Sequence, residues 1–68
     1  MPSTAIEQIS YDEVVGELRV KFVGGGRYTY YGVPKSVYDA FRAASSKGKF
    51  LNQYIKDRYD FSRHARSA

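Results

Sequence analysis

Apolar and polar residues alternate most cleanly over Glu17-Leu18-Arg19-Val20-Lys21-Phe22-Val23, where Leu18, Val20 and Phe22 point to one side and Arg19 and Lys21 to the other. A period of two is the pleat of a half-buried strand. Upstream, Ile6, Ile9 and Tyr11 are the apolar positions of another strand, expected over residues 5 to 11. Ile9 and Tyr11 share a face while Ile6 lies off it, so the pattern predicts a bulge or a late start. Asp12-Glu13-Val14-Val15-Gly16 reads as the connecting turn. Downstream, Gly24-Gly25-Gly26 can supply the positive φ angles of a tight hairpin, and Arg27-Tyr28-Thr29-Tyr30-Tyr31 has the content of a strand. With the glycines as a three-residue loop, Val23 faces Arg27, and Tyr28 and Tyr30 lie opposite Phe22 and Val20 on the buried side. A slip of one residue would exchange those two tyrosines for Thr29 and Tyr31.

After Gly32-Val33-Pro34 the period changes. Val37, Tyr38, Phe41 and Ala44 form one helical stripe, which predicts a helix over residues 34 to 45 with Pro34 in its first position and Ser36 and Asp39 forming a capping box. Ser45-Ser46-Lys47-Gly48 interrupts the pattern, and Phe50 with Tyr54, and Leu51 with Ile55 and Tyr59, predict a second helix near residues 49 to 59. From Asp60 to Ala68 the one large apolar residue is Phe61, too little to offset the entropy of ordering the segment. The expected organisation is a single domain, 1–60, followed by a flexible basic tail, 61–68. The expected fold is α+β: a three-stranded antiparallel β-meander over residues 5 to 31, followed by two α-helices packed on one face. Its core is expected to be Ile9, Leu18, Val20, Phe22, Tyr28, Tyr30, Val37, Phe41, Leu51 and Ile55, with Tyr54 beside them.

Sixty-eight residues leave room for one small core of modest stability, which a second subunit could help to complete. There is no cysteine and one histidine, which excludes a disulfide framework and a Cys/His metal site. No metal and no cofactor are expected. The N-terminus lacks the basic flank and apolar run of a signal peptide, and no stretch of apolar residues is long enough to span a bilayer, so the expectation is a cytoplasmic protein away from membranes.

Charge changes the picture more. The net formal charge is +4, but residues 1–17 hold four acids and no base, whereas residues 18–68 hold all eleven bases and three acids; the first part carries −4 and the remainder +8. Such a lopsided basic field attracts polyanions, and nucleic acid is the partner it suggests.

Tyr28-Thr29-Tyr30, the Val33-Pro34 step, the Val37-Tyr38 and Phe41 stripe, and the closing Gly48-Lys49-Phe50-Leu51-Asn52 with Tyr59 together resemble the KTSC family. These are small domains found at the C-terminus of some lysyl-tRNA synthetases and as stand-alone bacterial or phage proteins. The resemblance runs from about Ser3 to Tyr59. Its mark is the Tyr-x-Tyr of Tyr28 and Tyr30, supported by Tyr11-Asp12 and by Ser46-Lys47-Gly48-Lys49. It implies a nucleic-acid-binding role, RNA in particular, by association rather than through any catalytic signature.

No reaction is legible in the residues themselves. Ser/His/Asp hydrolysis would have to recruit His64 from the expected tail. The glycine run fails the dinucleotide pattern because Thr29 stands where its third glycine belongs, and Gly48-Lys49 lacks the hydroxyl residue that would meet magnesium. Asp57 and Asp60 sit among Lys56, Arg58 and Arg63 as a solvated charge cluster. The chain is therefore read as non-enzymatic, with no catalytic residue.

Candidate nucleic-acid contacts fall into two groups. On the outward face of the hairpin, Arg19, Lys21 and Arg27 offer cations and Tyr31 a stacking surface. Lys47 and Lys49 at the interhelical turn, Lys56 and Arg58 on the second helix, and Arg63 and Arg66 in the tail form the second group. RNA or DNA binding through phosphates requires these cations to lie on one contiguous surface. The rival reading is a protein-interaction or homodimerising module in which the acidic first strand of one chain meets the basic surface of another.

Overall fold

The computed structural model describes residues 6–64, which form a four-stranded antiparallel sheet with helices on one face. Strands β1 (Ile6–Asp12), β2 (Glu17–Phe22) and β3 (Arg27–Tyr30) are the expected meander. Helix α1 (Lys35–Ala43) follows, then α2 (Lys47–Phe50), which continues as a π-helical segment over Leu51–Ile55. The fourth strand corrects the expectation of three. Phe61–His64 (β4), expected to begin a flexible tail, pairs antiparallel with β3, giving the sheet order β1-β2-β3-β4.

The three-residue spacing of Ile6 and Ile9 is absorbed by a bulge. Ile6 pairs with Phe22 and Ile9 with Val20, with the register shift falling between Ile6 and Gln8, so both isoleucines reach the core. At the hairpin the loop is Val23-Gly24-Gly25, closed by the Phe22 N–H donating to the Gly26 carbonyl at 2.9 Å, with φ of 122° at Gly24 and 100° at Gly25. Tyr28 accordingly faces Val20, and Tyr30 faces Leu18, two residues from the expected register. A slip of two preserves the side of every residue, so Tyr28 and Tyr30 still point inward.

Helix α1 starts one residue later than expected and ends at Ala43, and Pro34 flanks it with no side-chain cap. The expected capping box is absent; Asp39 instead pairs with Lys35 one turn away, Oδ2 to Nζ 3.1 Å. The second helix begins at Lys47 because the Ser46 hydroxyl accepts from the Lys49 N–H at 3.4 Å, which puts Lys47 and Lys49 in its first turn rather than in an interhelical loop. It ends before residue 59. The Lys56 N–H donates to the Leu51 carbonyl at 2.8 Å, the five-residue closure of a π turn.

Leu18, Val20, Tyr30, Val33, Phe41, Leu51 and Ile55 are buried, with Ile9, Phe22, Tyr28 and Val37 packed partly against them. Tyr54 is half exposed and is not core. Val33, read from sequence only as part of a boundary, is pinned by both of its backbone groups: its N–H donates to the Gly16 carbonyl at 3.0 Å and its carbonyl accepts from the Tyr11 hydroxyl at 2.6 Å. Gly16 holds φ at 71°, a left-handed conformation that side chains rarely adopt, so the turn favours glycine for its backbone rather than for lack of space.

The Tyr11 ring stacks on Tyr38 of α1, centroids 4.7 Å apart, with the Arg42 guanidinium 5.6 Å from the other tyrosine's centroid. Tyr11→Phe keeps the stack and leaves the Val33 carbonyl without that donor. It is expected to lower unfolding stability by about 1–2 kcal/mol in urea melts, and an unchanged midpoint would place the clamp in the ring alone.

Candidate nucleic-acid interface

One face of the sheet packs against the helices, and among the described residues no helix or strand lies on the other. Residues paired across strands share a face, so the register lays out the open side in rows. One row reads Gln8, Lys21, Arg27, His64 and the next reads Ser10, Arg19, Thr29, Ser62. A depression of about 480 Å³ runs over these rows, walled by Gln8, Ser10, Arg19, Lys21, Arg27 and His64. His64, expected in a solvated tail, is therefore held beside Arg27, although its side chain remains exposed.

Three of the expected contacts, Arg19, Lys21 and Arg27, thus come together. Arg19 donates to Glu17 Oε1 at 3.0 Å, and Lys21 Nζ lies 3.7 Å from Glu7 Oε2. Both pairs are solvent-exposed, where such contacts contribute about 0–1 kcal/mol and give way to a competing anion. Arg27 forms no ion pair among the described residues. Tyr31, at the end of this face, donates its hydroxyl to Ser62 Oγ at 2.9 Å, and its backbone N–H donates to the Asp60 carbonyl, also at 2.9 Å. Its ring is only partly available for stacking, with 37% exposure.

The remaining candidates lie elsewhere, so the single contiguous surface required of the full set is not formed, phosphate binding by all of them together is ruled out, and only Arg19, Lys21 and Arg27 meet the requirement. Arg63 pairs with Tyr28 and consequently points to the helix side of the sheet. Lys47 and Lys49 sit at the start of α2. Arg58 lines a hollow of about 360 Å³ against Val37, Phe50 and Tyr54, away from the open face. Arg66 lies outside the described residues.

A second groove, about 560 Å³, opens on the helix side between the Val23–Gly26 loop, the π-helical segment and β4. Its rings are Phe22, Tyr28, Tyr30 and Phe61, and its polar walls are Asn52, Lys56, Asp57 and Arg63. Tyr28, Tyr30 and Phe61 form a triangle with centroids 5.6 to 6.2 Å apart. Burial, with the neighbouring Tyr28 and Asp57, pushes the Tyr30 phenol up to about 12. Asn52 and Phe61 were missed as site residues. Neither carried a local signal: Phe61 and Arg63 share a side only because the segment pairs as a strand with β3.

Among the described residues no three metal-ligating side chains gather, and no helix is long and apolar enough to cross a membrane. Comparison with known proteins adds a lineage. A protein of Tsukamurella paurometabola is 44% identical over 57 residues, covering 84% of this chain and 85% of that protein. A lysine–tRNA ligase of Nostoc punctiforme is 36% identical over 58 residues, which is 85% of this chain and 10% of the ligase. The crystal structure of a KTSC domain protein from Yersinia pestis matches with a TM-score of 0.84 at 31% identity, over 96% of this chain and 94% of that one. The KTSC domain model itself matches residues 2–59, and the chain belongs to the KTSC domain family.

Proposed function

We propose that this domain is a non-enzymatic nucleic-acid-binding module that engages backbone phosphates with the open face of its sheet. The observation that carries the reading is the row in which Lys21 stands directly opposite Arg27. Like charges facing each other across a ladder destabilise the sheet, and a phosphate between them removes the repulsion. Arg19 continues the surface two residues along the same strand. The partial correspondence to a lysine–tRNA ligase is compatible with RNA as the partner.

Three cations rather than the wider set set the scale. The logarithm of the binding constant is expected to fall with the logarithm of salt with a slope of about −2 to −3, and Arg27→Ala should reduce that slope by about 1 whatever the sequence of the oligonucleotide. Fluorescence anisotropy over a salt series measures both. A salt-independent constant, or a protein that sediments as a tight dimer and ignores oligonucleotides, would reject phosphate binding in favour of self-association.

A further inference from the structure

The sheet residues of the buried cluster, Leu18, Val20 and Tyr30, belong to β2 and β3, and β4 is an edge strand paired with β3. Phe61 is the first residue of that edge strand. It is 50% exposed although its ring centroid is within 5.7 Å of both Tyr28 and Tyr30. Its ring is thus supported by the tyrosines and open to the groove.

We propose that this groove is a subsite for one unpaired nucleotide of a single strand, with the base lying against Phe61 and Tyr28 and the phosphate held between Lys56 and Arg63. The inference rests on the nucleic-acid-binding reading and extends it to strand selectivity. A volume of about 560 Å³ falls in the range of small-ligand sites. Aromatic platforms beside cations are how single strands are held without sequence readout, whereas a duplex keeps its bases stacked and cannot present one.

The two cations arrive from different elements. Lys56 closes the π turn over Leu51, and Arg63 is placed two residues from Phe61 on the same side of β4, directly across from Tyr28. Neither forms an ion pair among the described residues. Asp57 is the acid on the groove wall, and the two cations outnumber it. Asn52 adds an amide that can donate to or accept from a base edge. Phe61 and Arg63 both lie beyond residues 2–59, the stretch matched by the family model.

The test uses the full chain with a short single-stranded oligothymidylate and a duplex of comparable length. Phe61→Leu keeps an apolar side chain on the tyrosines while removing the stacking face, and circular dichroism reports whether the variant is folded. It is expected to weaken single-strand binding about tenfold and leave duplex binding unchanged. In the wild type, amide shifts on adding the single strand are expected at Asn52, Lys56 and Arg63, and Lys56→Ala with Arg63→Ala should remove the preference for a strand carrying a terminal phosphate over its dephosphorylated form. If folded Phe61→Leu binds the single strand as the wild type does, or shifts are confined to Arg19, Lys21 and Arg27, the groove is overturned while binding by the sheet face stands. If neither oligonucleotide binds, both readings fall together.

Discussion

Phe41→Ala is expected to leave much of the chain unfolded at 25 °C. Phe41 is fully buried, it is the buried residue of α1, and it stacks on Phe50 of α2 with centroids 5.5 Å apart. It joins the helical layer to Leu18 and Val20 of the sheet and to Leu51 and Ile55 of the π-helical segment in one cluster. Truncating a buried phenylalanine costs about 3–5 kcal/mol, from lost transfer energy and the cavity left behind. A single core in a chain this short supplies about 3–5 kcal/mol in all. The loss therefore matches the whole stability, leaving α1 attached mainly through the Tyr11–Tyr38 stack and the partly buried Val37. A urea melt followed by far-UV circular dichroism should show a native baseline lost or greatly shortened. A cooperative transition displaced by less than about 1 kcal/mol would mean that the site collapses around the deletion and that Phe41 is not what closes the core.

The alternating register of β2 and the helical stripe of α1 are local patterns, and both were legible. The inward side of Tyr28 and Tyr30 was legible too, because a two-residue error in the hairpin leaves the pleat in phase. The bulge beside Ile6 could be read as an option because an odd apolar spacing in a strand has few resolutions. The fourth strand was not legible. Phe61-Ser62-Arg63-His64 carries one apolar side chain, and what orders it is non-local: hydrogen bonding to β3 and the contact of Phe61 with two tyrosines some thirty residues earlier. The placement of Arg63 follows from the same omission. Once the terminal segment is a strand, its phase sends Arg63 to the helix side and His64 to the open side, and no spacing argument confined to a tail could have separated them. Likewise Lys56 and Arg58 were read as one helical cluster, whereas they line different hollows.

Ending the chain after Asp60 is therefore expected to destabilise it by about 2–4 kcal/mol relative to a chain ended after His64, a control that isolates β4. The cut retains the carbonyl of Asp60 that accepts from the Tyr31 N–H, but it removes the ladder pairing β3 with β4 from Arg27 to Tyr30. It also strips the Phe61 ring from Tyr28 and Tyr30, leaving Tyr30, now 2% exposed, without cover on that flank. Each ladder hydrogen bond contributes about 0.5–1.5 kcal/mol net, and half-burying a phenylalanine adds about 1 kcal/mol more. The entropy of ordering four residues offsets part of this, which keeps the expected loss below the simple total. Thermal and urea melts of the two chains measure the difference. The functional consequence separates the two faces: the shortened chain, where still folded, keeps Arg19, Lys21 and Arg27 and should retain salt-dependent binding, while any preference for single strands disappears with Phe61 and Arg63. Equal stability of the two chains would show that β4 only rests on a sheet already complete with three strands, and the triangle of rings would then have no part in holding the fold.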